Sequence, residues 1–542
     1  MRRATGRLAD ETFDLLIIGG GATGACVARD ASLRGLKTAL IERGDFANAT
    51  SAHNSKLIHG GLRYLRNFEL SLVRESLHER RIWQRIAPHL VRPLPFLIPL
   101  RGGGFAARAA LSAGLTLYDA LAFDRGRLDD PAQRLPGHSW LDAQAAKRLE
   151  PVIDANDLGG AFLYYDAQMY SPERLALECL LDADEHGAAI ANYVEAERLL
   201  LRRGRVEGAN VRDKRSGVAF DVRARVTLLA AGPWADLFME DALSKPASHK
   251  LARSKGIHLV TAPLSRHYAL AVAARHGHFF VLPWRGRTLL GTTDVPFSGN
   301  PDQLSVSEKD IEDFLDFVNR HLPAARLSRS AIDYAYAGLR PLVYDGSSDT
   351  YTASRRSELV DHGREDSLVG LYSAIGGKWT TSRRLAQSVV DTIARATGAR
   401  LDKCRTATEP LPGGRIGRFE EFRQSLMSAS PERDNIAHLA QLYGALLPRV
   451  LSQLKDGPSL LDPIAPTGDI AAQVAYAVRE EMALTLADVI LRRTGIGQLG
   501  LPTEHALDRA SRLMADELGW SEATRVSEVS ATRSHYEPTA TP

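Results

Sequence analysis

A chain of 542 residues is too long for one small core, so about two to four domains are expected. Hydrophobic residues at 44% and charged residues at 25% are ordinary globular values. A net charge of +3 is too small for a dedicated nucleic-acid binder, but it leaves room for a local basic patch facing a membrane or a phosphate. The three cysteines, Cys26, Cys179 and Cys404, lie far apart without a CxxC, which argues against a disulfide framework or a zinc site and for a reduced, cytosolic compartment.

In chain order, the N-terminal "MRRATGRLADETFD" has no apolar run before Phe13 and does not read as a secretory signal. The run "LLII", residues 15–18, reads as a buried parallel strand. Gly19-x-Gly21-x-x-Gly24 follows, then a helical pattern through Val27, Ala31 and Leu33 that stops at Gly35, then a second strand ending at Glu42. Each residue type has a reason. Gly19 permits a tight turn, Gly21 lets backbone approach a pyrophosphate, and Gly24 lets helix and strand pack closely. The helix N-terminus offers N–H groups to phosphates, and Glu42 can accept hydrogen bonds from a ribose 2′-OH. Strand, turn, helix, strand and acid together predict dinucleotide binding, with FAD and NAD both open at this point.

Next comes "NSKLIHGGLRYL", residues 54–65, with Lys56, His59 and Arg63 around Gly60-Gly61. It is either a solvated basic turn or an anion holder. Residues 71–114 mix arginines with apolar side chains and would suit an anionic leaflet or a packed helix pair. The apolar stretch 105–123 is interrupted by Arg108 and Asp119, which share a polar stripe with Ser112 and Thr116, so no spanning helix is expected. Two later segments favour FAD, because a flavin site is assembled from distant pieces. They are "VTLLAAGPWAD", with Ala231 and Gly232, and "LYSAIGGKWTTSRRLA", whose Gly376-Gly377 turn precedes Lys378, Trp379 and Thr380 at a new helix start. After the proline-glycine linker 408–414 the chain reads as helical, without a catalytic cluster, and is expected to offer a docking, homodimer or regulatory surface. From Ser521 onward it is polar and expected to be disordered.

The ordered set "IIGGGATGA", "SKLIHGGLRYL", "AAGPWAD", "KGIHLV", "FFVLPWRGRTLLGTTDV", "AGLRPL" and "GGKWTTSRRLA" resembles the FAD-dependent, quinone-linked glycerol-3-phosphate dehydrogenases, over roughly residues 13–390. The tail 474–497 is similar to that family's C-terminal helical domain. The resemblance implies an α/β (α+β) fold in which a mixed-sheet substrate domain is inserted into a Rossmann-like FAD-binding domain, plus a C-terminal all-helical domain. The expected FAD-binding parts are 13–90, 156–243 and 336–400, the substrate parts 91–155 and 244–335, the helical domain 415–520, and the tail 521–542. His53 and Asn54, where serines are common, and Ser382, where a tyrosine is common, depart from the family pattern.

The implied reaction moves a hydride from C2 of sn-glycerol 3-phosphate to flavin N5, giving dihydroxyacetone phosphate. Arg340, then Arg63, then Lys378 are the expected phosphate-binding cations, since a guanidinium grips phosphate oxygens bidentately. His258 matches the base, with a pKa near neutrality in its favour and His59 as its rival. Gly19, Gly21, Gly24 and Glu42 are assigned to the ADP half, and Val194 to the adenine. Thr50, Ser51, Ser55, Lys56, Leu57, Gly376, Gly377, Lys378, Trp379 and Thr380 are assigned to the flavin side, and Ala231 and Gly232 to the cofactor. FAD is expected to be noncovalent, no metal is expected, and the partners implied are a membrane quinone and the inner face of the cell membrane. The competing readings are an oxygen-using glycerol-3-phosphate oxidase, a flavin oxidase of amines or amino acids, and a flavoprotein whose FAD is structural.

Overall fold

The structure is a computed structural model. It describes all residues except 103, 155, 157, 244–246, 266, 275–276, 344–356, 430–434, 457 and 540–542. Strand β1 (Thr12–Ile18) leads through the glycine turn into helix α1 (Ala22–Leu33) and then into strand β2 (Thr38–Glu42). β1 is flanked by two parallel partners, β2 and the strand Ala219–Leu229. Ala189–Asn192 and Leu371–Gly376 extend the parallel sheet on either side. β1 is buried on both faces, as a central parallel strand must be, and this explains its unbroken apolar run.

The second sheet has ten strands and is mixed. Over it lies helix α2 (Phe105–Leu121), most of whose residues are exposed. Strand β3 (Leu158–Met169) pairs antiparallel with Val91–Arg101. Strand β4 (Leu251–Thr261) sits between β5 (Arg287–Gly291) and β6 (Ile332–Val343), antiparallel to both. The chain therefore leaves the parallel sheet twice and returns twice, as the inserted-domain reading expects.

Two expected boundaries are corrected by the pairing. Residues 156–169 belong to the substrate sheet, because Val91–Arg101 takes its antiparallel partner from β3. Residues 336–343 also belong to that sheet, because β6 must lie beside β4 for its side chains to reach the same face. Boundary residues 155 and 244 lie outside the described residues.

Helix α3 (Trp379–Thr397) packs against α1 behind the parallel sheet. The C-terminal helices continue that core, since Leu439, Tyr443, Val474, Ile490 and Leu507 share one apolar cluster with Ile17, Val27 and Val389. Helix α4 (Glu504–Leu518) is followed by α5 (Glu522–Ser534), so the expected disordered tail is corrected. Ser521 caps α5, Arg525 bonds Asp508 and Ser511, and the Tyr536 hydroxyl donates to Gly497 O at 2.8 Å. The polar composition concealed these few anchors, of which Thr532 is fully buried. Residues 540–542 of the tail lie outside the described residues. Among the described residues no helix is long and apolar enough to cross a membrane.

Candidate functional site

A cleft of about 930 Å³ opens at the carboxyl ends of the parallel strands. Gly19, Gly21, Glu42, Thr50, Ser51, Val194, Ala231, Gly232, Gly376, Gly377, Lys378 and Trp379 all line it. Gly19 has φ 115°, and a Cβ there would stand 2.5 Å from Ala230 O. Gly24 does not line the cleft. A Cβ on it would fall 1.9 Å from Gly19 O, so its role is to let α1 press against the turn. The N-cap of α1 is Gly21 with no side-chain cap, and only Ser51 Oγ reaches in, accepting from Ala22 N–H at 2.8 Å. A backbone cradle at a helix N-terminus, with Ser51 Oγ at its edge, fits a pyrophosphate.

Glu42 closes β2 and accepts from the Gly20 and Gly44 N–H groups at 2.7 and 2.9 Å. Burial raises its carboxyl pKa in spite of those donors. Glu42 also lines the cleft, with acceptor capacity left for a ribose hydroxyl.

The substrate face is built by strand alternation. Ser254, Gly256 and His258 share one face of β4, and their register partners on β6 are Arg340, Gly338 and Tyr336. His258 stacks on Tyr336 with ring centroids 5.0 Å apart, and its Nε2 lies 2.9 Å from Ser55 Oγ. Its Nδ1 is buried without a hydrogen-bond partner. A Cβ on Gly291 of β5 would stand 2.2 Å from His258 Cδ2, and one on Gly256 would stand 2.4 Å from Arg340 Nη2. The glycines make the room in which both side chains lie. Arg340 donates to Ser254 Oγ (3.1 Å), Thr292 Oγ1 (2.9 Å) and Thr293 O (3.1 Å), and Asp294 stands 3.9 Å away. Burial, then the charges of Arg340, Lys56 and His53, push the His258 pKa well below its ordinary value, so the ring is neutral.

A second cationic corner forms where the "HGGLRY" turn meets the start of α3. The Lys378 ammonium and the Arg63 guanidinium lie 4.6 and 5.2 Å from the Tyr64 ring centroid. Lys378 Nζ is buried with no hydrogen-bond partner, and burial lowers its pKa. Thr380 Oγ1 bonds both the N–H and the C=O of His59, so it ties the turn to α3 rather than lining the cleft. Burial, then Lys378 and Arg63, push His59 well below its ordinary pKa. Thus His59 joins the cationic corner, while His258 stands beside Arg340.

Besides Thr380, three more residues assigned to the flavin side do not line the cleft. Lys56 turns its ammonium inward to Glu173 (3.0 Å) and Ala52 O (2.5 Å), as a buried ion pair. Leu57 packs in the substrate-domain core, paired with Gln168 of β3. Ser55 is spent on His258. The departures from the family pattern are also placed. Asn54 stitches its own turn through Thr50 O, Ser51 O and Lys56 N–H, and Ser382 lines the cleft beside Cys26. His53 is half-buried, and desolvation and then Lys56 push its pKa down to about 3.

Sequence reading assigned no role to Tyr336, to the Thr292–Asp294 group, or to Asp166. Asp166 accepts from Gly60 N–H at 3.1 Å and from the Tyr118 hydroxyl at 2.8 Å, and it pairs with Arg80. "GTTD" was legible as a motif, but its task of holding Arg340 appears only once β4, β5 and β6 are aligned. Among the described residues no cluster could hold a metal ion.

A parallel-sheet dinucleotide cleft lined by Lys378, with a neutral histidine beside Arg340 on the second sheet, fits an oxidoreductase that works on an anionic substrate. The FAD dependent oxidoreductase model matches residues 14–391, and the C-terminal domain of alpha-glycerophosphate oxidase matches residues 404–525. A glycerol-3-phosphate dehydrogenase of Synechocystis sp. is 36% identical over 537 residues, covering 95% of this chain and 94% of that one. The aerobic glycerol-3-phosphate dehydrogenase of Bacillus subtilis is 32% identical over 508 residues, covering 90% and 88%. The FAD complex of the Bacillus halodurans glycerol-3-phosphate dehydrogenase superposes with a TM-score of 0.79 at 27% identity, covering 98% and 96%. The chain belongs to the FAD dependent oxidoreductase family, in its glycerol-3-phosphate dehydrogenase branch.

Proposed function

We propose that this chain oxidises sn-glycerol 3-phosphate at C2 to dihydroxyacetone phosphate and passes the electrons to a membrane quinone. The observation that carries the reading is the placement of neutral His258 and the cation Arg340 on one face of adjoining strands, cleared by Gly291 and Gly256. FAD, when bound, supplies the two-electron acceptor. Gly19, Gly21, Glu42 and Val194 would hold its ADP half, and Gly376, Gly377 and Trp379 would border its flavin half, noncovalently.

The residues divide the work. Arg340, held flat by Ser254, Thr292 and Thr293, grips phosphate oxygens, with Lys378 and Arg63 closing the other side. Neutral His258 accepts the C2 hydroxyl proton. The substrate phosphate brings negative charge beside Arg340, which offsets the field that depresses His258 and strengthens it as a base when the substrate is in place. Anaerobic addition of glycerol 3-phosphate should bleach the flavin absorbance. Absence of bleaching would remove the substrate assignment and favour a flavin of structural role.

The quinone is favoured over oxygen by one surface. Phe68, Phe105 and Phe123 are 85%, 86% and 63% exposed, and Leu70 and Leu117 lie in the same region of sequence. Arg74 and Arg127 stand 4.4 and 5.9 Å from the Phe123 ring centroid. Exposed aromatics, one of them flanked by two arginines, suit the inner, anionic face of a membrane. Steady-state turnover should reduce a short-chain quinone with little peroxide, and the protein should float with anionic liposomes at low salt. Stoichiometric peroxide without flotation would assign the oxidase instead.

A further inference from the structure

The C-terminal helical domain matches a family model of its own, and two of its side-chain networks reach the loop whose residues line the cofactor cleft. The first begins at a single π-helical turn, Val489–Arg493, of the kind that often marks functional positions. Arg493 grips Asp45 with two hydrogen bonds of 2.7 Å, the two side chains being 1% and 0% exposed. Arg492 Nε donates to the same carboxylate at 2.6 Å and Nη2 to Asp488 at 2.7 Å. The Tyr193 hydroxyl donates to Asp488 at 2.7 Å, and the Tyr193 N–H donates to Gly44 O at 2.9 Å. Gly44 and Asp45 are neighbours in the chain, so the contacts close into a ring: Asp45, Arg492, Asp488, Tyr193, Gly44. Two of its backbone exits are cleft wall. Gly44 N–H donates to Glu42, and Tyr193, held at φ 56°, sets the direction of Val194. Burial alone would raise the Asp45 carboxyl, but the two guanidiniums hold it well below the usual range.

The second network clamps the other end of the same loop. Gln498 donates to Glu173 at 3.3 Å, Glu173 accepts from Lys56, and Lys56 donates to Ala52 O at 2.5 Å. Between the two clamps lie Thr50 and Ser51, which line the cleft. The loop has little regular structure of its own from 43 to 56, so its shape is imposed by what it is tied to.

We propose that the C-terminal domain is a structural half of the cofactor site: Arg492, through Asp45 and the Asp488–Tyr193–Gly44 ring, positions Glu42 and Val194 for the ADP moiety of FAD. Arg492 is a positioning residue and touches no reacting atom. The inference stands on the FAD site alone and holds for either electron acceptor.

The test uses the full chain stripped of FAD and titrated at a temperature where circular dichroism shows each apo-protein fully folded. Arg492→Met leaves Asp45 paired with Arg493, and it should weaken FAD binding about tenfold, the loss of one charged hydrogen-bond set. ADP binding should weaken by a similar factor, while FMN, carrying the flavin half, should bind within about twofold of the parent. Arg492→Lys should recover most of the affinity. A merely structural arginine would lower the unfolding temperature and leave the affinity of the folded apo-protein unchanged, and that result overturns the proposal. Equal losses for ADP and FMN overturn it as well. Should Arg492→Met not fold, Tyr193→Phe cuts the ring at one hydroxyl with every charge still paired. It should weaken FAD about threefold, and an unchanged affinity there refutes the positioning role.

Discussion

At the cofactor end, β1, the glycine turn, α1 and β2 are contiguous in the chain, and what they present is mostly backbone: Gly19, Gly21 and the free N–H groups of α1. At the substrate end the groups are side chains drawn from β4, β6, the "HGGLRY" turn and the start of α3. Backbone presentation needs absent side chains, so glycines are the signature. Side-chain presentation needs partners that aim each group, so the signature is scattered among Ser254, Thr292, Thr293 and Tyr336. Substitutions at the two ends should therefore fail differently, one losing the cofactor and the other losing turnover with the cofactor in place.

The largest effect is expected at His258. His258→Ala should keep its bound FAD and lower the rate of flavin reduction by about 10²- to 10⁴-fold, the range of a lost general base. Stopped-flow absorbance measures it, and a rate within a few-fold of the parent would take His258 out of the chemistry. Arg340→Ala should lower kcat/KM roughly 30- to 1,000-fold, about 2–4 kcal/mol of lost charged hydrogen bonds, mostly through KM. A KM that stays put would move the phosphate to the Lys378–Arg63 corner.

A matched pair of glycine substitutions tests the contrast directly. Gly24→Ala drives a methyl to 1.9 Å from a backbone oxygen that cannot yield, and it should weaken FAD about tenfold or more through overpacking. Gly291→Ala places a methyl 2.2 Å from His258 Cδ2 and should displace the ring, lowering turnover about tenfold with FAD affinity intact. Equilibrium flavin titration and single-turnover reduction read the two. If Gly291→Ala released FAD, the separation of the ends would be wrong.

That contrast also explains what could be read from the chain. The dinucleotide unit was legible because its determinants are local: a buried apolar run, glycines at fixed offsets and an acid at the next strand's end. The candidate base and the phosphate-binding cations were legible only through an ordered set of motifs. Lys56 shows what such motifs miss. Its neighbourhood pointed to the flavin, but its ammonium is neutralised by Glu173, over a hundred residues away, and no local pattern announces that pair. The domain boundaries at 156 and 336 were misplaced for the same reason, since sheet membership is decided by partners at long range. The helix at 522–534 was hidden because a two-sided polar helix can be held by a few caps and one buried threonine.

The smallest effect expected is a shift in pH dependence. Burial first, then Arg340, Lys56 and His53, hold the folded-state pKa of His258 below its ordinary value of 6.5. A protonated imidazole cannot take the substrate proton, so kcat/KM should fall as the pH drops through that lowered pKa. The acid limb should therefore lie below pH 6.5, with a level profile through neutrality. Arg340→Gln removes a neighbouring positive charge, so the His258 pKa should rise and the limb should move to higher pH. Lys56→Met should move it the same way if the protein folds, although the loss of Glu173's partner makes that variant less stable. A limb already above 6.5 in the parent, or one unmoved in Arg340→Gln, would mean that the titrating base is not the histidine beside Arg340. The rival histidine, His59, is coupled instead to Lys378 and Arg63, so Lys378→Met would then be the substitution to shift it.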